Sequence, residues 1–161
     1  MRKAFGVVLL SLSSVSVCSA TDQPDFQLRI GGGALHVLDH DQTGLVKVDF
    51  LLRPITRYEI TPVFGAWVTG TKDQYYHLGL EKDLTLTDRF SLFIGLAGGA
   101  YLEQDGVDLG QEFEFQSRIG VSYYVDDDQA LDLEFGHLSN ARISDLNPGT
   151  EFASFSYRHI W

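Results

Sequence analysis

Four side chains near the end of the chain could do chemistry together: His137, Ser139, Asn140 and Glu151. A serine hydroxyl is a weak nucleophile until a base removes its proton, and histidine is the side chain suited to that near neutral pH. A carboxylate on the far side of the imidazole would hold its tautomer and stabilise the imidazolium. Attack on an ester generates an oxyanion that needs donors, and the Asn140 side-chain amide or backbone N–H adjoins the serine. Taken singly, His137 reads equally well as an interfacial histidine, Ser139 reads better as a harmless strand-end hydroxyl, and Glu151 can be a loop-edge charge. The chemistry requires one surface that collects them.

That surface must be built from strands. Eight segments alternate in polarity: Phe26–Val37, Gly44–Arg53, Glu59–Thr69, Gln74–Asp83, Arg89–Leu102, Glu112–Val125, Ala130–Ser139 and Glu151–Trp161. Each is close to the roughly 9–11 residues that cross a bilayer as a tilted strand. A sustained 3.6-residue period is absent, so helix is a minor component at most. Val46, Val48, Phe50 and Leu52 share one face, against Lys47, Asp49 and Arg53 on the other. In the sixth segment Phe113, Phe115, Ile119, Val121 and Tyr123 oppose Glu114, Gln116, Arg118 and Ser122. Successive strand side chains point to opposite sides, so each segment has one apolar and one polar face.

A soluble β-sandwich also alternates, with its apolar face inward. Two features favour the inverted, membrane arrangement. Charges of both signs recur on the polar faces (Arg29, Lys47, Asp49, Glu81, Glu114, Arg118, Asp132, Glu134, Arg158) and could pair in the narrow lumen of an eight-stranded barrel. The linkers also differ in length. Pro54–Tyr58, Leu84–Asp88 and Asp126–Gln129 are compact, whereas Leu38–Thr43, Glu103–Gln111 and Asn140–Thr150 are mostly longer and rich in Asp, Gly and Asn. Such barrels have short periplasmic turns and longer outer loops. The aromatic end at Trp161, preceded at alternate positions by Phe155, Tyr157 and His159, resembles the terminal strand that bacterial barrel-assembly machinery reads. The expected fold is therefore all-β: an eight-stranded antiparallel transmembrane β-barrel of the bacterial outer membrane.

The remaining signals set limits. Arg2 and Lys3, an uncharged small-and-apolar stretch from Ala4 to Val17, and Cys18-Ser19-Ala20 form a signal peptide with cleavage expected after Ala20. Residues 1–20 are thus the signal and 21–161 a single barrel domain. Acylation of Cys18 is the competing reading, opposed by Val17 directly before it. Cleavage removes the one cysteine, so disulfides and Cys-ligated metals are excluded. The net charge of −10 makes nucleic acid a poor partner. Gly31–Gly33 and Gly98–Gly99 lack the helix and lysine of a phosphate loop and read as close packing. Asp39, Asp41, Asp105 and Asp108 read as solvated charge, since they lack calcium-ligand spacing. No cofactor or metal is expected.

Parity then orients the four reactive residues. Leu131, Leu133 and Phe135 must face lipid, and His137 and Ser139 share their side. Glu151 shares parity with Ala153, Phe155 and Tyr157. The polar set would project from the outer wall, where such groups destabilise by up to a few kcal/mol at mid-depth. Asn147-Pro148-Gly149 is a turn signal that returns the chain towards His137.

The run HLSNARISDLNPGTE, His137 to Glu151, closely resembles the H-x-S-N…N-x-G-x-E signature of the lipid A 3-O-deacylases of the PagL family. GQEFEFQSRIGVSYYV, from Gly110 to Val125, resembles that family's sixth strand, and the layout covers essentially the whole mature chain. The resemblance implies a triad of Ser139, His137 and Glu151, with Asn140 helping to form the oxyanion hole and Asn147 and Gly149 supporting the loop. It also implies hydrolysis of the 3-position acyl ester of lipid A, with release of a 3-hydroxy fatty acid. Arg142 departs from the pattern, standing where a small residue, commonly Gly, is expected. It reads either as a contact to a lipid A phosphate, which suits a guanidinium, or as a solvated loop charge.

Expected partners are lipopolysaccharide as substrate, outer-membrane lipids and the barrel-assembly machinery through the aromatic last strand. A homodimer is compatible with the sequence, which does not decide it. The expected location is the outer membrane, with the site towards the outer leaflet. Two alternatives stay open: a non-catalytic barrel serving adhesion or membrane integrity, and a phospholipase or acyltransferase using the same nucleophile.

Overall fold

The structure, a computed structural model, describes residues 24–55 and 57–161. The expected cleavage site at Ala20 and the alternative at Cys18 lie outside the described residues. Eight strands follow in chain order: β1 Phe26–Leu35, β2 Thr43–Leu52, β3 Ile60–Thr69, β4 Gln74–Thr85, β5 Phe90–Leu102, β6 Phe113–Tyr124, β7 Gln129–Ser139 and β8 Thr150–Ile160. Each pairs antiparallel with the next, and β8 returns to β1 (Leu35 opposite Phe152, Gln27 opposite Ile160), closing the barrel. Closure leaves no sheet edge, which is what lets strands cross hydrocarbon with every backbone group paired. Strand limits fall within two residues of those expected from alternation. The largest differences are at β1, where His36 takes φ 60 and its carbonyl accepts the Asp39 N–H at 3.0 Å to start a turn, and at β4, which extends to Thr85.

Alternation sorts the side chains as expected. Ile30, Val46, Leu78, Leu96, Leu133 and Phe155 project from the outer wall at 50–71% exposure. A continuous apolar belt of that kind is a lipid-facing surface, since a water-soluble monomer rarely carries one. The glycines expected to mark close packing do so. A Cβ on Gly33 would lie 1.9 Å from the Ala153 carbonyl oxygen, and one on Gly99 would lie 2.1 Å from that of Tyr76.

The lumen is filled in layers. In its middle, buried Arg29 meets Asp132 at 2.6 Å and Glu81 at 2.8 Å. Arg118 meets Glu81 at 2.8 Å and Asp49 at 3.1 Å. Lys47 meets Glu134 at 2.6 Å, and Arg158 reaches Asp132 at 3.3 Å. These groups come from β1, β2, β4, β6, β7 and β8, so the network ties opposite walls together. Towards the end carrying the longer loops, Leu35, Leu45, Trp67, Tyr75, Tyr101, Leu109, Leu138 and Phe152 form an apolar plug. Glu114 departs from the expected pairing. Both its carboxylate oxygens are buried without a hydrogen-bond partner among the described residues, because it sits beside the plug, where Tyr75 donates to its carbonyl at 2.9 Å, rather than beside a cation.

Removing one partner from a buried ion network strands the others in low dielectric, at about 3–5 kcal/mol. Arg29→Ala is therefore expected to lower barrel stability by about that amount. Arg53→Ala, which loses only the exposed pair with Asp25, should change it by less than about 1 kcal/mol. Urea unfolding in detergent micelles, followed by heat-modifiable gel mobility, checks both values.

Candidate active site

β7 and β8 form the closing hairpin, and their register puts His137 directly opposite Glu151. Directly opposed residues on one face have Cβ atoms about 4.5–5.5 Å apart, within reach of a side-chain hydrogen bond. Here His137 Nδ1 and Glu151 Oε1 lie 3.1 Å apart. The side chains are 43% and 26% exposed, so both open onto the outer wall. Ser139 lies two residues along on the same face, at the last position of β7. Its hydroxyl makes no hydrogen bond among the described residues, and such contacts commonly tighten only when substrate is bound. The structure thus brings the histidine and glutamate into contact and sets the serine next on their face.

The loop beyond Ser139 is held mainly through Asn140, which is fully buried. Its Nδ2 donates to the carbonyls of Leu109 at 2.9 Å and Leu146 at 2.8 Å. Its backbone N–H donates to Asn147 Oδ1 at 3.0 Å, and its own Oδ1 accepts the Arg142 N–H at 3.0 Å. Every N–H of Asn140 is therefore committed inside the protein, leaving none directed at an ester. Asn140 is a structural clamp in this conformation, and Asn147 is its partner. The next backbone N–H, that of Ala141, makes no hydrogen bond among the described residues.

Ala141 and Arg142 have φ of 52° and 65°. Two consecutive non-glycine residues in the left-handed region are strained by about 1–3 kcal/mol each, a cost seen mostly where surroundings over-determine the backbone. This explains why a small residue is expected at position 142: the backbone there suits glycine. Arg142 itself is exposed. Gly149 is needed twice over. Its φ is +68°, and a Cβ would lie 2.7 Å from Cε1 and 3.1 Å from Nε2 of His137, so the bare glycine backbone packs against the imidazole.

Three contributors escaped sequence reasoning. Leu109, in the loop between β5 and β6, anchors the Asn140 amide through its carbonyl while its side chain joins the lumenal plug. Thr150 hydrogen-bonds His36 Nδ1 at 2.8 Å, tying the start of β8 to the end of β1 beside Glu151. Ser117, opposite His137 on β6, interrupts the outward series Phe113, Phe115, Ile119, Val121. The first two left no local trace, but Ser117 was a visible break in the alternation. It helps open a groove of about 230 Å³ bordered by Ile119, Phe135 and His137.

Of the acidic loop residues, Asp105 pairs with Lys72 at 3.2 Å and Asp108 accepts the Gly110 N–H at 2.7 Å. Among the described residues no group of His, Cys, Asp or Glu is arranged to hold a metal ion. The plug separates the long-loop end from a cavity of about 560 Å³ at the opposite mouth, lined by Gln27, Thr61, Asp83 and Tyr124 among others. His137 opens onto the outer wall and not onto that cavity.

Comparison with known proteins adds the family. The chain is 22% identical to a lipid A deacylase PagL of Bordetella bronchiseptica, over 98% of this chain and 95% of that protein. The crystal structure of the outer membrane enzyme PagL superposes with a TM-score of 0.61 at 17% identity, covering 83% of this chain and 98% of that one. Neisserial surface protein A gives the same TM-score at 13% identity, covering 87% and 99%. A designed transmembrane β-barrel also scores 0.61, at 11% identity, covering 87% and 98%. Shape therefore establishes the barrel, while the closing hairpin and the sequence carry the finer relation. Residues 53–159, from the β2–β3 turn to the penultimate residue of β8, match the family described as Lipid A 3-O-deacylase (PagL), and the chain belongs to that family.

Proposed function

We propose that this protein is an outer-membrane serine esterase that hydrolyses the 3-position acyl ester of lipid A and releases a 3-hydroxy fatty acid. The observation that carries the proposal is the His137–Glu151 contact on the lipid-facing wall, with Ser139 next on the same face. Glu151 accepts the Nδ1–H, which leaves Nε2 free as a base. Nε2 takes the Ser139 proton as Oγ attacks the ester carbon. Collapse of the tetrahedral intermediate expels the sugar 3-hydroxyl, which leaves with that proton and leaves the acyl group on Ser139. A water activated by the same imidazole then releases the fatty acid. The Ala141 N–H, unbonded among the described residues and just past the serine, is the donor available to the oxyanion.

Access supports a membrane lipid as substrate. A triad on the outer wall meets a lipid by lateral diffusion, and the plugged lumen offers no competing route. The groove over Ser117, bordered by Ile119 and Phe135, would receive the acyl chain of the scissile ester. The long-loop end would face the outer leaflet, where Arg142 would contact a lipid A phosphate.

Mass spectrometry of lipid A from cells producing the protein should show loss of one 3-hydroxyacyl chain. Unchanged lipid A from folded protein would refute the proposal, and release of fatty acid from phospholipid vesicles would favour the phospholipase alternative. Ser139→Ala should cut turnover by about four orders of magnitude or more, and Glu151→Ala by about two to four, with heat-modifiable barrels intact. Gly149→Ala should lower kcat by about 10- to 100-fold, because displacing the imidazole by a fraction of an ångström spoils proton transfer. Arg142→Gln should raise KM several-fold for lipid A carrying phosphates and leave a dephosphorylated substrate unaffected; steady-state kinetics on the two substrates checks this.

A further inference from the structure

Asp73 is fully buried at the β3–β4 turn, far from the triad in sequence. Its carboxylate is satisfied by four hydrogen bonds. Oδ1 accepts the backbone N–H groups of Gln104 at 2.8 Å and Gly106 at 3.1 Å. Oδ2 accepts the hydroxyls of Thr71 at 2.6 Å and Thr69 at 3.1 Å. The fit is close, since a Cβ on Gly106 would stand 1.7 Å from Oδ2. The Asp105 N–H adds a bond to the Thr71 carbonyl at 3.1 Å. Asp73 thus fixes where the loop 103–112 leaves β5.

A few residues further, that loop reaches the active site. The Tyr101 hydroxyl holds the Val107 carbonyl at 3.1 Å, the Leu109 side chain enters the lumenal plug, and the Leu109 carbonyl accepts the Asn140 amide at 2.9 Å. A Cβ on Gly110 would lie 2.0 Å from the Leu146 carbonyl oxygen, so the two loops are packed backbone to backbone. Asn140 directly follows Ser139, and its clamp fixes the left-handed backbone at Ala141 and Arg142.

We infer that Asp73 is a positioning residue for the active site, acting through the loop 103–112 and Asn140 on the backbone that presents Ser139. A buried carboxylate satisfied by donors from two segments is costly to remove, because it leaves those donors unpaired. Here two of the four donors, the backbone N–H groups of Gln104 and Gly106, belong to the loop that braces the nucleophile's neighbour. Loss of Asp73 relaxes that loop and shifts Ser139, the last residue of β7, relative to His137, which lies two residues deeper in the strand and is paired directly with Glu151 on β8. The effect falls on the chemical step, since the lipid-facing groove beside His137 is built on β6 and β7 and does not involve the loop.

The inference rests on the assignment of Ser139 as nucleophile, and the test separates the two. Full-length protein in detergent micelles is assayed for kcat, KM and the rate of labelling by a fluorophosphonate, with heat-modifiable mobility as the fold control. Asp73→Ala is expected to lower kcat and the labelling rate together, by about 10- to 100-fold, with KM within about twofold. Asp73→Asn keeps one acceptor for the two backbone N–H groups and should restore most of the loss. Gly106→Ala, which drives the loop off an intact Asp73, should reproduce the defect, and it decides the question if Asp73→Ala does not fold. Lys72→Ala, which removes an exposed pair with Asp105, should leave activity unchanged. Wild-type kcat in folded Asp73→Ala or Gly106→Ala, with Ser139→Ala inactive, would overturn the inference alone. An active, unlabelled Ser139→Ala would instead remove the nucleophile assignment and the inference with it.

Discussion

Closure of the sheet governs this molecule. Because β8 pairs with both β7 and β1, every strand has two neighbours, and each side chain is committed either to the lumen or to the outer wall. The same commitment puts Arg29, Asp49, Glu81 and Arg118 inside and His137 and Glu151 outside. A slip of one residue between β7 and β8 would turn one member of the pair inward and destroy the His137–Glu151 contact. The His137–Glu151 contact is therefore a consequence of strand register, not of a separately built pocket.

The interior of the barrel supports the site without taking part in it. The ion network across the middle ties opposite walls into a rigid cylinder, and the apolar plug caps that network beneath the long loops. Leu109 belongs both to the plug and, through its carbonyl, to the clamp on Asn140. The strained turn at Ala141 and Arg142 is thus braced from inside the barrel. Strain of this kind persists only where neighbours hold it, and here they are the buried amide of Asn140, the side chain of Asn147 and the loop before β6. The His137–Glu151 pair lies on the outer wall, while the loop beside it is braced from the lumen side.

Barrels of this size and shape serve more than one purpose. A family enzyme, a surface protein and a designed barrel superpose equally well on this chain. What separates them must lie in particular side chains on the wall and loops. In this chain the departures from a plain lipid-facing wall cluster on the last hairpin and its neighbour β6: a histidine, a serine and a glutamate where apolar residues would otherwise continue, and a second serine beside the histidine.

Much of this was readable from the chain because strand alternation is local, with a period of two set by the backbone itself. The eight strands, the side each residue faces, and the gathering of His137, Ser139 and Glu151 on one face follow from that period. The family signature in the run from His137 to Glu151 depends on residue types and spacing, which are equally local. Tertiary structure alone decided which lumenal charges meet, since that depends on the stagger of strands around the barrel, and it left the Glu114 carboxylate without a hydrogen-bond partner among the described residues. It also decided that Asn140 clamps loops with all its N–H groups, and that Asp73 and Leu109 bear on a hairpin distant in sequence. Those contacts join loops whose paths carry no periodic signal, so their partners are chosen by the folded shape rather than by any neighbour along the chain.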